Sequence, residues 1–348
     1  MKIGFFADSY FPRKDGQVYT VKTWKQKLEQ RGHEVYVFYP ESEYDHEDNE
    51  IPLRSVKNPW YQHYIGVPIG TGEIPELDIV HCHSPGPVGL LGKYYARKKG
   101  LPDLYTFHTP LEEYIPQVLK LKTLTKAVRS VYSYLDTKFL RTFNKVTSNT
   151  DEMPRDVDFV KLPVGIDMEF FRPTRDSFLE EENLERPVAG YSGRLSEEKN
   201  IDLLIEYFEE VDGTLIIAGE GRDEKRLKSM ASENVVFKDF IDREKLPEYY
   251  SYLDVFVTAS DSDTLSLTTL EASSCGTPVL APDLHPFDKT ITGNGELYRA
   301  EDAEAFRSKL QKISRSEYNT RDAVKSYSIE HSIDELLEIY GGLIEDGN

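Results

Sequence analysis

Short apolar runs bounded by turn residues alternate with stretches of helical period along the whole chain, the pattern of a parallel sheet built from βαβ units. In the first half the runs Lys2–Ala7, Glu34–Phe38, Ile79–His81, Leu104–Thr106, Lys145–Ser148 and Phe159–Lys161 predict strands. Tyr19–Gln30 predicts a helix between the first two, closed by Arg31-Gly32-His33 with glycine at the stop. The pattern restarts with Pro187–Tyr191 as a strand, Ile201–Glu209 as a helix, Thr214–Ala218 as a strand and Arg222–Ala231 as a helix. Val235–Phe237 (strand), Lys245–Ser251 (helix), Val255–Thr258 (strand) and Ser266–Ser274 (helix) follow, and Ile333–Ile344 predicts a leucine-rich amphipathic helix. Between the halves, Thr174–Arg186 is polar and acidic, edged by Pro173 and Pro187, and reads as a linker. Two successive α/β halves are predicted, each opening on its own strand, with ligands bound where strand C-terminal ends face a cleft.

The 348 residues suit two domains and bury enough surface to need no disulfide or metal staple. Lys and Arg number 42 against 61 Asp and Glu, a net charge of -19 that repels phosphate backbones and disfavours nucleic acid as a partner. The two cysteines, Cys82 and Cys275, lie far apart and outside any CxxC spacing, which fits a reducing compartment and no structural zinc. The first apolar run is too short for a signal peptide, and no apolar stretch approaches the length of a membrane span. A cytoplasmic protein is expected.

Neither half follows its first strand with GxGxxG, and no P-loop pattern occurs, so neither a nicotinamide site nor a Walker-type site is indicated. The second half's first strand runs instead into Ser192-Gly193-Arg194-Leu195-Ser196-Glu197-Glu198-Lys199. A Ser-Gly turn admits a ligand close to the backbone, and Arg194 with Lys199 supplies two cations suited to a diphosphate. Surface ion pairs in a solvated loop are the alternative. Further on, Asp263 falls in a loop and Glu271 inside the helix that begins near Thr264–Leu267. Free N–H groups around Ser266 and Leu267, with the helix dipole, make an anion site, and a glutamate there can accept both hydroxyls of a ribose. A capping carboxylate followed by a solvated glutamate is the plainer reading. His81-Cys82-His83 carries ligand-type side chains, but packing at an alternating strand end is expected there rather than a metal.

In combination these spacings resemble the retaining GT-B glycosyltransferases of family 4, the group 1 transferases. The second half contributes Ser192-Gly193-Arg194 with Lys199, Gly219-Glu220-Gly221, and Asp263…Glu271-Ala272 followed by Cys275-Gly276-Thr277-Pro278-Val279. The first half contributes Tyr10-Phe11-Pro12-Arg13-Lys14-Asp15-Gly16, similar to the family's glycine loop, and Arg31-Gly32-His33-Glu34-Val35, similar to its helix-to-strand turn. Asp78-Ile79-Val80-His81-Cys82-His83-Ser84-Pro85, Thr106-Phe107-His108-Thr109-Pro110 and Leu162-Pro163-Val164-Gly165-Ile166-Asp167 match later segments in the same order. The resemblance spans nearly the whole chain.

It implies a GT-B fold of two Rossmann-like α/β domains facing across a cleft. Residues 1–167 would form an acceptor domain against which a C-terminal helix, 329–348, packs back, and 168–328 a nucleotide-sugar domain. Arg194 and Lys199 would neutralise the donor diphosphate in place of a divalent metal. Glu271 would hold the ribose, Asp263 would contact sugar hydroxyls, and Ser192, Gly193 and the backbone at Ser266 and Leu267 would cradle the donor. Ile241 would lie at the strand end where backbone reads the base, Gly16 would let the N-terminal loop close on the donor, and His108 would hydrogen-bond the transferring sugar. No metal or cofactor is implied beyond the donor substrate, a nucleotide diphosphate sugar of the UDP-glucose type. Three positions depart from the pattern: Asp263 replaces glutamate, Ser266 replaces glycine, and Asp15 replaces the first glycine of a pair.

For the acceptor, Gln117–Lys145 predicts a long helix with an apolar stripe of Leu121, Leu124, Val128, Val131, Leu135 and Phe139. Its other side carries Lys120, Lys122, Lys126, Arg129, Lys138, Arg141 and Lys145 against a single acid, Asp136. In so acidic a chain this reversal suits an anionic membrane surface, although a helix covering the sheet with a solvated basic face fits as well. His108-Thr109-Pro110-Leu111-Glu112-Glu113-Tyr114 is similar to the corresponding stretch of diacylglycerol glucosyltransferases. A lipid or glycan acceptor reached from the cytoplasmic face is therefore expected. Transfer to a soluble sugar or sugar phosphate, 2-epimerisation on the same fold, and a non-catalytic nucleotide-sugar-binding subunit are the alternatives.

Overall fold

A computed structural model describes residues 1–13, 15–57, 66–70, 73–108, 122–151, 153–174, 184–261, 263 and 265–347. By internal contacts the chain divides into two units, Met1–Gly165 with Ile329–Asn348, and Ile166–Ser328.

The first unit's strands are β1 (Lys2–Phe6), β2 (Glu34–Pro40), β3 (Glu50–Leu53), β4 (Ser55–Lys57), β5 (Gly66–Pro68), β6 (Ile79–Cys82), β7 (Asp103–Phe107), β8 (Lys145–Ser148) and β9 (Val160–Lys161). Its helices are α1 (Gly16–Gln30), α2 (Pro87–Lys99) and α3 (Lys122–Leu140). Among the described residues they form a seven-stranded sheet in the order β3-β2-β1-β6-β7-β8-β9, with β4 and β5 paired separately as an antiparallel ribbon. Every pairing in the large sheet is parallel, so its central strands are covered on both faces and read as continuous apolar runs. Phe6, Phe38, Val80, Cys82 and Tyr105 fill a core on one face. On the other, Trp24 of α1 is fully buried and its indole N–H donates to the Val164 carbonyl at 2.7 Å.

Helix α2 is not apparent from propensity, because Gly89 and Gly92 interrupt it. The second of these glycines is what lets it dock: a Cβ on Gly92 would lie 2.5 Å from Phe6 Cγ. Pro87 opens the helix and Gly100 closes it in the left-handed conformation, at φ +67°.

The long helix predicted over 117–145 is shorter on its described side. Residues 117–121, including Lys120 and Leu121, lie outside the described residues, α3 ends at Leu140, and Lys145 opens β8. The stop comes from Asn144 and Asp103, which bond each other's backbone N–H groups at 3.0 and 2.8 Å and pull the chain into the sheet. Its faces also differ from expectation. Asp136, predicted among the cations, points inward, where its Oδ2 accepts from Arg155 Nε at 2.7 Å with both side chains buried. Phe139 packs toward the core, whereas Val131 and Leu135 are 59% and 57% exposed. A buried ion pair thus takes the inward face and turns part of the apolar stripe to solvent.

The second unit comprises β10 (Val188–Ser192), α4 (Ile201–Phe208), β11 (Thr214–Ala218), α5 (Glu224–Met230), β12 (Val235–Lys238), α6 (Leu246–Tyr252) and β13 (Val255–Val257). These continue into α7 (Leu267–Ser274), β14 (Val279–Pro282), α8 (Phe287–Thr290), β15 (Gly295–Tyr298), α9 (Ala303–Ile313) and α10 (Thr320–Ala323). The described strands make one parallel sheet in the order β12-β11-β10-β13-β14-β15, with apolar cores on both faces. Most of the predicted linker, 175–183, lies outside the described residues. The last helix, α11 (Ile329–Asp346), belongs to the first unit. It buries Ile329, Ile333, Leu336 and Tyr340 and pairs with α1 through Lys27 and Glu330 at 3.0 Å.

Candidate active site

Strand order reverses in each sheet between the first strand and the fourth of its βα series, at β1/β6 and at β10/β13. Loops leaving the C-terminal ends of these strand pairs border the crevice where open parallel sheets take ligands. Most of the residues singled out from the sequence sit on these loops.

In the second unit, β10 runs into Ser192-Gly193-Arg194. The turns after β10 and β11 press together, so that a Cβ on Gly219, at φ +139°, would stand 1.9 Å from the Gly193 carbonyl oxygen. Only glycine permits that approach. Arg194 projects outward, 56% exposed, and its ion pair with Glu198 is stretched to 4.0 Å. Lys199 closes a single 3-10 turn, Glu197–Lys199, and its Nζ donates to Asp263 Oδ1 at 2.8 Å. The predicted cation and the predicted sugar-binding acid are therefore partners of one another.

Helix α7 opens behind Ser266, whose backbone is left-handed at φ +58°. This is the position where the sequence carries serine in place of glycine, and the serine adopts the glycine conformation at a cost of order 1 kcal/mol. No acidic residue occupies the first turn to offset the positive end of the helix dipole. One turn on, Glu271 is buried. Its Oε2 accepts from Tyr250 Oη at 3.1 Å, and Tyr250 Oη also lies 3.0 Å from Ser192 Oγ. Arg243 Nη1 stands 3.6 Å from Glu271 Oε1. Burial pushes the Glu271 carboxyl up to about 7, against the pull of Arg243 and the Tyr250 hydroxyl. Ile241, beyond the end of β12, packs against the core on α6's face of the sheet.

Tyr250 and Arg243 are site residues that sequence reasoning missed. Tyr250 lies inside an ordinary amphipathic helix and Arg243 in the turn before it, so only the fold reveals that both reach Glu271.

In the first unit, Gly16 is the first residue of α1. Asp15, another of the three departures from the pattern, is its N-cap, with Oδ1 accepting from Val18 N–H at 3.0 Å. Asp8, just past β1, accepts from the Gly86 and Val88 N–H groups at 2.7 Å each and so caps α2. His108 follows β7, and its Nε2 lies 3.1 Å from Nδ1 of His83, beyond the end of β6. His81 is packed inside the unit, bonding Tyr340 and Thr106 at 2.7 Å each. Among the described residues no three His, Cys, Asp or Glu side chains are grouped so as to hold a metal ion. Cys82 and Cys275 are free and buried.

Two protein families match this chain. Residues 174–331 match the family described as Glycosyl transferases group 1, and residues 14–159 match Glycosyltransferase Family 4. The chain is 30% identical over 322 residues to an alpha-monoglucosyldiacylglycerol synthase of Streptococcus pneumoniae, covering 81% of this chain and 71% of that one. It is 27% identical over 330 residues to the alpha-monoglucosyldiacylglycerol synthase of Acholeplasma laidlawii, covering 84% and 82%. Among solved structures it resembles sucrose-phosphate synthase from Thermosynechococcus elongatus, with a TM-score of 0.74 at 18% identity over 99% of both chains. It also resembles Anabaena HepE, solved in complex with UDP and glucose, with a TM-score of 0.70 at 16% identity over 98% of this chain and 100% of that one. With both halves matched in order and two Rossmann-like parallel sheets of the GT-B kind, this chain belongs to the group 1, family 4 glycosyltransferases.

Proposed function

We propose that this protein transfers a hexose from a nucleotide diphosphate sugar of the UDP-glucose type to a lipid acceptor of the diacylglycerol type, with retention and without a divalent metal. The observation that carries the donor half is the cation arrangement beyond β10, with Arg194 projecting outward and Lys199 held by Asp263. Two cations, one held by Asp263 and one free to swing onto the ligand, neutralise the charge that grows on a departing diphosphate, the work a metal ion does elsewhere. The positive end of α7 adds to it. Glu271, with Tyr250 and Arg243 bonding or flanking its oxygens, accepts the ribose hydroxyls. Asp263 shares its carboxylate between Lys199 and a sugar hydroxyl. Retention follows if the acceptor attacks from the face the diphosphate leaves, with a leaving phosphate oxygen taking the acceptor's proton.

The acceptor half rests on α3 and on two relatives that are alpha-monoglucosyldiacylglycerol synthases. Val131, Tyr134 and Leu135 are exposed on its outer side, and Lys126, Arg129, Lys138 and Arg141 flank them. An apolar strip rimmed by cations lies flat on an anionic bilayer surface. No helix among the described residues is long and apolar enough to cross a membrane.

Calorimetric titration with UDP and GDP in EDTA tests the donor half, and transfer of labelled glucose to diacylglycerol in anionic vesicles tests the whole. Metal-free binding of UDP and a labelled lipid product are expected; no binding of either nucleotide overturns the reading. The double variant Lys126→Ala, Lys138→Ala is expected to partition about 10–30-fold more weakly onto phosphatidylglycerol vesicles at low salt. Unchanged partitioning would detach α3 from the membrane.

A further inference from the structure

Three histidines of the first unit form a stack, His81 and His83 buried and His108 half-buried. His81 lies against His83 with ring centroids 4.1 Å apart, and His83 against His108 at 5.4 Å, all near-parallel. Phe5 meets the edge of the His83 ring at 4.8 Å and Trp24 at 5.9 Å. The His83 backbone is tied at both ends: its N–H donates to the Phe6 carbonyl at 2.9 Å and its carbonyl accepts from Gln17 Nε2 at 3.0 Å. This ring has a fixed position and a fixed tilt.

Burial holds His81 and His83 well below the usual imidazole range and pushes His108 down to about 4, so at neutral pH each ring carries one N–H. His83 Nδ1 and His108 Nε2 are 3.1 Å apart, so one of the two must hold the proton between them. The other nitrogen of His83, Nε2, is buried without a hydrogen-bond partner among the described residues. If His108 donated to His83, the proton of His83 would sit on Nε2 as an orphaned buried N–H, the rarest kind of unmet group. If His83 donates from Nδ1, its Nε2 is only an unused lone pair.

We propose that His83 is a positioning residue: its Nδ1–H donates to His108 Nε2, fixing His108 as the tautomer that carries its proton on Nδ1. His108 then meets the transferring sugar as a hydrogen-bond donor. It is not the base that deprotonates the acceptor, a task left to the departing phosphate. This deepens the reading of His108 as a sugar-contacting residue and rests on it.

Imidazole nitrogen spectra of the full-length protein labelled with 15N-histidine test the assignment directly, without substrate. His108 is expected to show a pyridine-type Nε2 and a protonated Nδ1 at pH 7.5. A protonated His108 Nε2 overturns the proposal. In kinetics, His83→Phe keeps the stacked ring but removes the donor, and is expected to lower kcat about tenfold while the KM for the nucleotide sugar stays put. His83→Asn restores an N–H near the same place and is expected to recover most of that loss. Equal defects in both variants, or none in either, refute the positioning role. If His83→Phe does not fold, the wild-type spectrum and His83→Asn still decide. His108→Phe separates the two levels: unchanged turnover there removes the sugar-contact reading itself, whereas a loss there with none in His83→Phe removes only the role of His83.

Discussion

Arg194→Ala is expected to lower kcat/KM for glycosyl transfer by about 10²–10³, with the melting temperature unchanged. The guanidinium is 56% exposed and its ion pair is stretched to 4.0 Å, so its removal disturbs no packed contact. On the proposed function its charge matters only once a diphosphate arrives, and most when the diphosphate leaves. Lys199→Ala makes the contrast. It strips Asp263 of its 2.8 Å partner in a half-buried place, so a loss of activity there would mix chemistry with local rearrangement. Steady-state kinetics alongside thermal melts distinguish the cases. Full activity in a well-folded Arg194→Ala protein would remove the diphosphate from this loop.

Glu271→Gln is expected to stabilise the folded protein at pH 8 by about 3 kcal/mol while weakening UDP by roughly 10–100-fold. Burial raises this carboxyl from 4.5 to about 7. Its contribution is therefore complete below about pH 4.5, where folded and unfolded chains both hold the proton. It falls away as pH rises toward 7, because the unfolded chain has released the proton and the folded one has not. Above 7 the loss levels off. The amide carries no charge to bury and abolishes that slope. A ribose needs the ionised form to accept both hydroxyls, so wild-type UDP affinity should rise as pH passes through 7, with protons released on binding. Melting curves from pH 4 to 9 and titrations in buffers of different ionisation enthalpy check both signs. A pH slope unchanged in Glu271→Gln would show that another group carries it.

Two Rossmann-like halves were legible because parallel strands buried on both faces leave continuous apolar runs. Thr214–Ala218 and Lys145–Ser148 match the observed strands at both ends. Helix α2 and strands β14 and β15 were not legible. Gly89 and Gly92 conceal α2, while β14 and β15 follow glycine- and proline-rich turns that mask short runs. The inward turn of Asp136 could not be read either, since nothing local marks Arg155, 19 positions on, as its partner. Within the candidate site, motif spacing singled out Arg194, Lys199, Asp263 and Glu271. It did not show that Lys199 and Asp263 pair, nor that Tyr250 and Arg243 reach Glu271. Such contacts depend on how helices settle over the sheet, which spacing along one segment does not encode.

The return of α11 to the first unit has a consequence for synthesis. The residues up to Gly165 leave the ribosome well before α11, so His81 lacks its Tyr340 partner and α1 its neighbour until the second unit has been made. At ordinary elongation rates that interval is about 10–40 s. Throughout it, the apolar seam of α1 that α11 later covers stands open, while the second unit, continuous in sequence, can close on its own. The first unit therefore has its greatest need of a chaperone during that interval, and the need ends only once α11 has emerged.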